Sequence, residues 1–441
     1  MSQYKPYPTY KDSGVEWIGQ VPAHWETLPI KRGAGLRNER RTDSPEGWDY
    51  VGLEDVEAES GRYAPTGTAS RQSEDSMVGV FRAGDVLYGK LRPYLRKAIV
   101  TGDDGLCSTE FLVLRPGRSS APWLHRWLLT TEVTQQIEAG CDGAKMPRAD
   151  WDHVGSVPMP LPPPAEQSAI AAALDRETAR IDALIAKKTR FIELLKEKRQ
   201  ALITHAVTKG LDQNVRMKDS GVAWIGEVPE HWELAQLGKL SVSRCDGPFG
   251  SGLKSEHYTD SGVRVVRLQN IGWARFKAGD AAYIAFDYWQ SELGGGHDAI
   301  PGDVLIAGLG DENNLLGRAC VVPDDIGNAI VKADCYRFRV GPRVLPEYVA
   351  LTLSATSRAE CGFLATGATR DRLNLTLASA RQIPVPPIEE QREIVAAVHR
   401  SATRLDELMA KVDCSIALLK ERRSALITAA VTGQIDIREA A

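Results

Sequence analysis

Long apolar runs are missing from this sequence of 441 residues. Every hydrophobic stretch is short and interrupted, so a membrane-spanning helix is excluded. The opening MSQYKPYPTYKDSG is polar and holds no apolar signal core, so a cytoplasmic location is expected. Cysteine is sparse: seven residues (Cys107, Cys141, Cys245, Cys320, Cys335, Cys361 and Cys414), scattered and never written C-x-x-C. That pattern argues against a structural zinc site and a disulfide framework, and for reduced, mostly buried thiols. Positive charge is not in excess either, with 54 Lys and Arg against 58 Asp and Glu. The net charge of −4 therefore does not advertise nucleic-acid binding, although association follows local potential rather than the total.

Catalytic signatures are absent as well. Gly89-Lys90 and Gly238-Lys239 are followed by leucine, so neither ends a phosphate loop. No proline pair has the Asn or Asp before it and the Tyr or Phe after it that amino-methyltransfer needs. GGGH at 294–297 carries no dinucleotide fingerprint, and the eight histidines include no H-x-x-x-H pair for a metal. The chain reads as a binder, not an enzyme.

What is present is repetition. KDSGVEWIGQVPAHWE (11–26) returns as KDSGVAWIGEVPEHWE (218–233), identical at 13 of 16 positions. LLKEKRQALITHAVTKGLD (194–212) returns as LLKERRSALITAAVTGQID (418–436). The offset is 207 residues at the first phrase and 224 at the second, so the intervening middles have diverged. Such a period is too long for a solenoid and indicates two copies of a domain-sized unit. Repeated His24 and His231 are expected to be hydrogen-bonded structural groups. Trp17, Trp25, Trp224 and Trp232 are expected in the core or an interface.

Ala165 to Lys209 and Glu389 to Thr432 are rich in Ala, Leu, Glu, Lys and Arg and contain no proline, which predicts long helices. Val398, Leu405, Val412, Leu419 and Leu426 recur every seventh residue, as do Leu174, Ile181, Lys188, Leu195 and Leu202. A sustained heptad predicts a coiled-coil seam, and the visible partner for each helix is the other copy. The alternative is two unrelated amphipathic helices, each lying on its own domain. Proline-rich lead-ins, VPMPLPPPAEQ (157–167) and IPVPPIEEQ (383–391), act as stiff joints before each helix. About 40 helical residues would span roughly 60 Å. The globular parts mix strand-like runs (DYVGLEDVE, 49–57; VRVVRLQNI, 263–271; AGDVLYGKL, 83–91; PGDVLIAGL, 301–309) with helical ones. The fold class expected is α+β: two tandem mixed domains, each followed by a long helix, the helices pairing antiparallel with approximate two-fold symmetry.

These phrases resemble the DNA specificity subunits of type I restriction-modification enzymes. GVxWIGxVPxHW, the GDVL strand, the Pro-Pro…Glu-Gln lead-in and LLKExRxALIT occur in that family's order, twice over, along nearly the whole chain. The resemblance implies a target-recognition domain at 11–156, a lead-in and spacer helix at 157–212, a second such domain at 218–382 and a second helix at 383–436. Each domain would read one half of a bipartite, asymmetric duplex target. The helices would set the gap and dock two methyltransferase subunits, and through them the restriction and translocase subunits. No cofactor is expected on this chain; S-adenosylmethionine, ATP and magnesium would belong to the partners.

Two stretches are basic against the acidic average: KRGAGLRNERR (31–41) and YGKLRPYLRK (88–97). Phosphate contacts from Lys and Arg give affinity, while Arg, Asn and Gln contacts to base edges give specificity. In the first domain the candidates are Tyr88, Lys90, Arg92, Tyr94, Arg96 and Lys97, then Arg40 and Arg41, then Lys145 and Arg148. In the second they are Thr369, Arg370, Arg372 and Asn374, then Arg267, Gln269 and Asn270, then Ser251 and Lys254 on the glycine-rich DGPFGSGLKSEHY (246–258). IAGLGDENNLLGR, the counterpart of the basic stretch, is acidic and polar, leaving Asn313 and Asn314 to read bases or the partner to bind phosphate. The competing reading of any of these is a solvated charged surface. Two other functions stay open: a scaffold whose coiled coil gathers proteins, and a stand-alone nuclease with an unrecognised site.

Overall fold

A computed structural model describes residues 4–43, 45–66, 77–141, 143, 145–248, 252–293, 295–311, 313–364 and 372–440. The chain divides into two compact units, Met1–Thr189 with Asp413–Ala441, and Arg190–Val412. Mixed α/β structure is found in both. No described helix is long and apolar enough to cross a membrane.

Each unit is built on the same four-stranded antiparallel sheet. Its spatial order is Ala98–Val100, Val86–Gly89, Phe111–Pro116, Ala34–Arg37 in the first unit. In the second it is Ala319–Val321, Val304–Ala307, Cys335–Val340, Ser241–Cys245. The repeated GDVL explains why a strand starts there. Gly84 (φ +84°) and Gly302 (φ +83°) turn in the left-handed region, which costs glycine nothing. Asp85 and Asp303 follow, both nearly fully buried. Their carboxylates accept the backbone N–H of Arg82 (2.9 Å) and Ile300 (3.0 Å) and pair with Arg37 (2.6 Å) and Arg339 (2.8 Å). A smaller second sheet diverges. Both copies keep one parallel strand pair, Asp49–Val51 with Gly105–Cys107, and Val263–Val266 with Ala329–Val331. The antiparallel neighbour then joins the later of these strands in the first unit and the earlier one in the second.

The repeated phrases meet where the long helices begin and end. Glu166 at the start of the first helix (Pro164–Lys209) binds His24 at 2.8 Å; Glu390 at the start of the second (Ile388–Val431) binds His231 at 2.9 Å. The next residue is a buried glutamine. Gln167 accepts the N–H of Ser120 (2.7 Å) and donates to the carbonyls of Pro162 (2.9 Å) and Arg118 (3.2 Å). Gln391 does the same with Leu345 (2.8 Å), Pro386 (2.8 Å) and Arg343 (3.0 Å). Trp25 and Trp232 are fully buried and lie against the glycines that stop the helices, Gly433 (φ +74°) and Gly210 (φ +78°). A side chain at either glycine would meet the indole and strain the turn. Both histidines and both tryptophans are thus architectural, as expected from the sequence.

The helices pair antiparallel inside each unit. In the first, Leu174 shares a core with Ile427 and Val431, and Asp182 pairs with Arg423 at 3.0 Å. In the second, Ile203 and Val207 pack with Ile394 and Val398, and Arg199 pairs with Asp406 at 3.3 Å. Leu174, Ile181, Leu195, Val398 and Val412 are buried along this seam, and Leu405, Leu419 and Leu426 are half-buried. Leu202 departs from the heptad: it is 44% exposed, and Ile203 is buried instead. A straight helix drifts about 20° per heptad, and here the helix end turns into its domain core beside Trp232 rather than following the seam.

Gln391→Leu leaves three backbone groups without partners, so a loss of roughly 3–5 kcal/mol is expected. Calorimetry checks it: the affected transition should fall by on the order of 10 °C, and a shift under 2 °C would show that the clasp is dispensable.

Candidate nucleic-acid interface

Two loops come together at the end of the GDVL strand in each unit. In the first, the Lys90 N–H donates to the Glu110 carbonyl (2.9 Å), and the Lys90 carbonyl accepts the Ala149 N–H (2.9 Å). Leu91 and Arg148 form a β-bridge. In the second, the Gly308 N–H donates to the Asp334 carbonyl (2.7 Å), the Gly308 carbonyl accepts the Leu373 N–H (2.9 Å), and Leu309 bridges Arg372. The short helices that follow are capped alike, Asp150 on the His153 N–H and Asn374 on the Leu377 N–H, both at 2.8 Å. The backbone frame is one design; the side chains it presents are not. The first frame offers Lys90, Arg92 and exposed Tyr94, and the second offers glycines and Asn313 and Asn314. Arg92 (φ +54°) and Arg96 (φ +48°) hold the first loop in left-handed backbone, a conformation non-glycine residues keep mainly where structure or function demands it.

No family model matches the chain. Known proteins of similar sequence do exist. The chain is 24% identical over 351 residues to the MjaVIII specificity subunit of a type I restriction enzyme from Methanocaldococcus jannaschii, covering 77% of this chain and 76% of that one. It is 25% identical to the putative MjaX specificity subunit from the same organism, covering 96% of each. The chain is a relative of type I specificity subunits. Its fold also matches a chain from a structural study of type I restriction-modification assembly and conformational transition, with a TM-score of 0.71, 19% identity and coverage of 93% of this chain and 98% of that one.

Set on this specificity-subunit fold, the sequence candidates separate. The 88–97 and 145–148 stretches form one surface in the first unit, while Arg40 and Arg41 lie apart on the second sheet, Arg41 paired with Asp43 and over the ring of Trp48. Tyr88 does not belong to that surface: it is 1% exposed, in the core. Lys97 turns inward to the Leu53 carbonyl (2.6 Å), and Arg96 is tied to Glu59 (2.9 Å) and Thr131 (3.0 Å). In the second unit Asn270 is also withdrawn. It is 1% exposed, and its amide closes a turn by donating to the carbonyls of Lys277 (2.9 Å) and Gly279 (3.0 Å). Arg267 and Gln269 remain nearer the surface but reach Asp280. Gln269 sits in a 3-10 turn (Leu268–Asn270) that Arg267 caps, just after the strand rather than on its end. Lys254 faces Glu256 at 3.6 Å. Ser251, Thr369 and Arg370 lie outside the described residues. At the head of the glycine-rich loop, burial pushes the Asp246 carboxyl up to about 6, against the pull of the Gly247 and Asp334 amides. Burial likewise pushes the Cys107 thiol up to about 12. Among the described residues no group of three His, Cys, Asp or Glu could hold a metal.

Sequence reasoning missed Arg318, which is 5% exposed. Its guanidinium donates to the carbonyls of Ile271 (2.7 Å), Leu268 (2.9 Å), Leu315 (3.0 Å) and Leu309 (3.1 Å). One side chain thereby holds the 268–271 turn against the 309–315 loop. A planar fork of five donors suits that task, and burial pulls its pKa down. Nothing in the linear sequence separates Arg318 from the surface arginines. Arg318→Lys keeps the charge and loses the fork. Amide exchange across 309–315 should then rise on the order of tenfold, with 88–95 unchanged; uniform exchange across both loops would exclude an organising role.

Proposed function

We propose that this chain is the DNA specificity subunit of a type I restriction-modification assembly, reading sequence and leaving catalysis to its partners. Each unit reads one half of a bipartite duplex target through the loop after its GDVL strand and the loop before its proline lead-in. The observation that carries the reading is the pair of equal frames with unlike fillings. Equal frames present side chains to a common kind of ligand, and unlike side chains make the two half-sites different. Bases are told apart by just such changes among Arg, Lys, Asn and Gln.

The long helices run from one unit into the other along the chain and act as the spacer between half-sites. They also carry apolar side chains in the open: Phe191, Leu194, Leu202 and Leu408 are 38–46% exposed around one groove in the second unit. Such a stripe on a helix pair suits further amphipathic helices. We assign it to a methyltransferase subunit, one copy for each unit, with S-adenosylmethionine, ATP and magnesium held on the partners.

Net charge of −4 and the polar second frame make the isolated chain a weak DNA binder. Affinity should rise strongly, with a steeper salt dependence, once the methyltransferase supplies further phosphate contacts. Equal affinity and equal slope with and without that partner would count against the assembly. The reading itself is tested by exchanging residues 11–156 for the corresponding domain of another specificity subunit and mapping methylated bases in the host genome. One half of the methylated sequence should change while the other half and the gap stay. Change in both halves would overturn it.

A further inference from the structure

Arg148 and Arg372 occupy the same place in the two frames, and each is held by an acid that the frame also places. Glu110 and Asp334 are the residues whose carbonyls receive the Lys90 and Gly308 N–H, each standing just before the strand next to GDVL. The Glu110 carboxylate meets Arg148 at 2.7 Å, and the Asp334 carboxylate meets Arg372 at 2.9 Å. The acids are mostly covered, 24% and 16% exposed, whereas the arginines are 56% and 50% exposed. Each guanidinium therefore stays about half exposed, that of Arg372 with Tyr336 as a second neighbour. Glu110 holds its second oxygen buried without a hydrogen-bond partner, and Asp334 sits at φ +63°. Both are unfavourable placements for a residue needed only for stability. Exposed ion pairs contribute little to folding, yet this one is built twice, in domains whose loops otherwise share few residues.

We propose that Glu110 and Asp334 are specificity-determining residues. Each carboxylate occupies the arginine that would otherwise seize any phosphate, and only a contact with the matching half-site displaces it. The ion pair is weak enough to exchange and strong enough to refuse non-target duplex. This inference rests on the DNA-reading function above.

The test uses the full chain, unaltered and with Glu110→Gln or Asp334→Asn, each assembled with its methyltransferase partner. Binding to a duplex carrying the mapped target and to a random duplex is followed across salt. Either variant should bind random duplex about threefold more tightly, given the modest strength of exposed pairs. For Glu110→Gln the salt slope should steepen by about 0.9, Arg148 having lost its acid; for Asp334→Asn it should steepen by less, because Arg372 keeps Tyr336 as a neighbour. Target affinity should hardly move, so discrimination falls about threefold. Adding Arg148→Gln to Glu110→Gln should abolish the gain, because the two residues act as one unit. An unchanged ratio, or weaker target binding with random binding unaltered, would overturn the proposal while leaving DNA reading intact. If the unaltered assembly cannot tell target from random duplex, both fall together. Should one variant fail to fold, the other carries the test, asparagine being well suited to the left-handed backbone at 334.

Discussion

A single buried carboxamide at the foot of each long helix organises the molecule. Gln167 and Gln391 each bind three backbone groups drawn from the proline lead-in and from the loop before a domain helix. The bonds to the Pro162 and Pro386 carbonyls are buried and the others partly so, and a buried backbone group needs its partner within the protein. The neighbouring Glu and the Trp-glycine contact complete a joint that reverses the chain from strand to helix within a few residues.

Rigid joints and variable loops divide the work. Repeated residues, among them His24 and His231, Trp25 and Trp232, Asp85 and Asp303, satisfy hydrogen bonds or fill cores, where one methylene or one oxygen out of place is felt. Residues on the frames face solvent, where packing imposes little and the ligand alone selects them. The second sheet shows the same freedom, keeping one parallel pair and attaching its neighbour on the other side. Divergence collects where nothing inside the protein forbids it.

Much of this was legible before any coordinates. Helices, proline joints, duplicated domains and antiparallel helix pairing were all read from pattern, because period and punctuation are local properties. The reading of single side chains fared less well. Tyr88, Lys97 and Asn270 looked like surface residues in basic or polar stretches, yet each is turned inward to a core or a carbonyl. Leu202 obeyed the heptad and was left exposed, since the helix end answers to its domain core. Glu110 and Asp334 carried a usable signal that went unused: they stand 224 residues apart, as do Arg148 and Arg372, matching the offset of the helix-end repeat. Equal spacing of acid and arginine across a divergent region marks a shared construction.

The amino-acid order alone determined that the chain is two copies of one plan, with helices of given length behind proline joints at given places. Those follow from backbone propensities and from repetition, which need no knowledge of distant contacts. Tertiary structure decided which polar side chains face outward and which acids sit beside which arginines. That choice turns on distances of a few ångströms between residues about 40 to 90 positions apart, as in Arg148 with Glu110 or Arg337 with Ser243, and no linear pattern encodes such a distance.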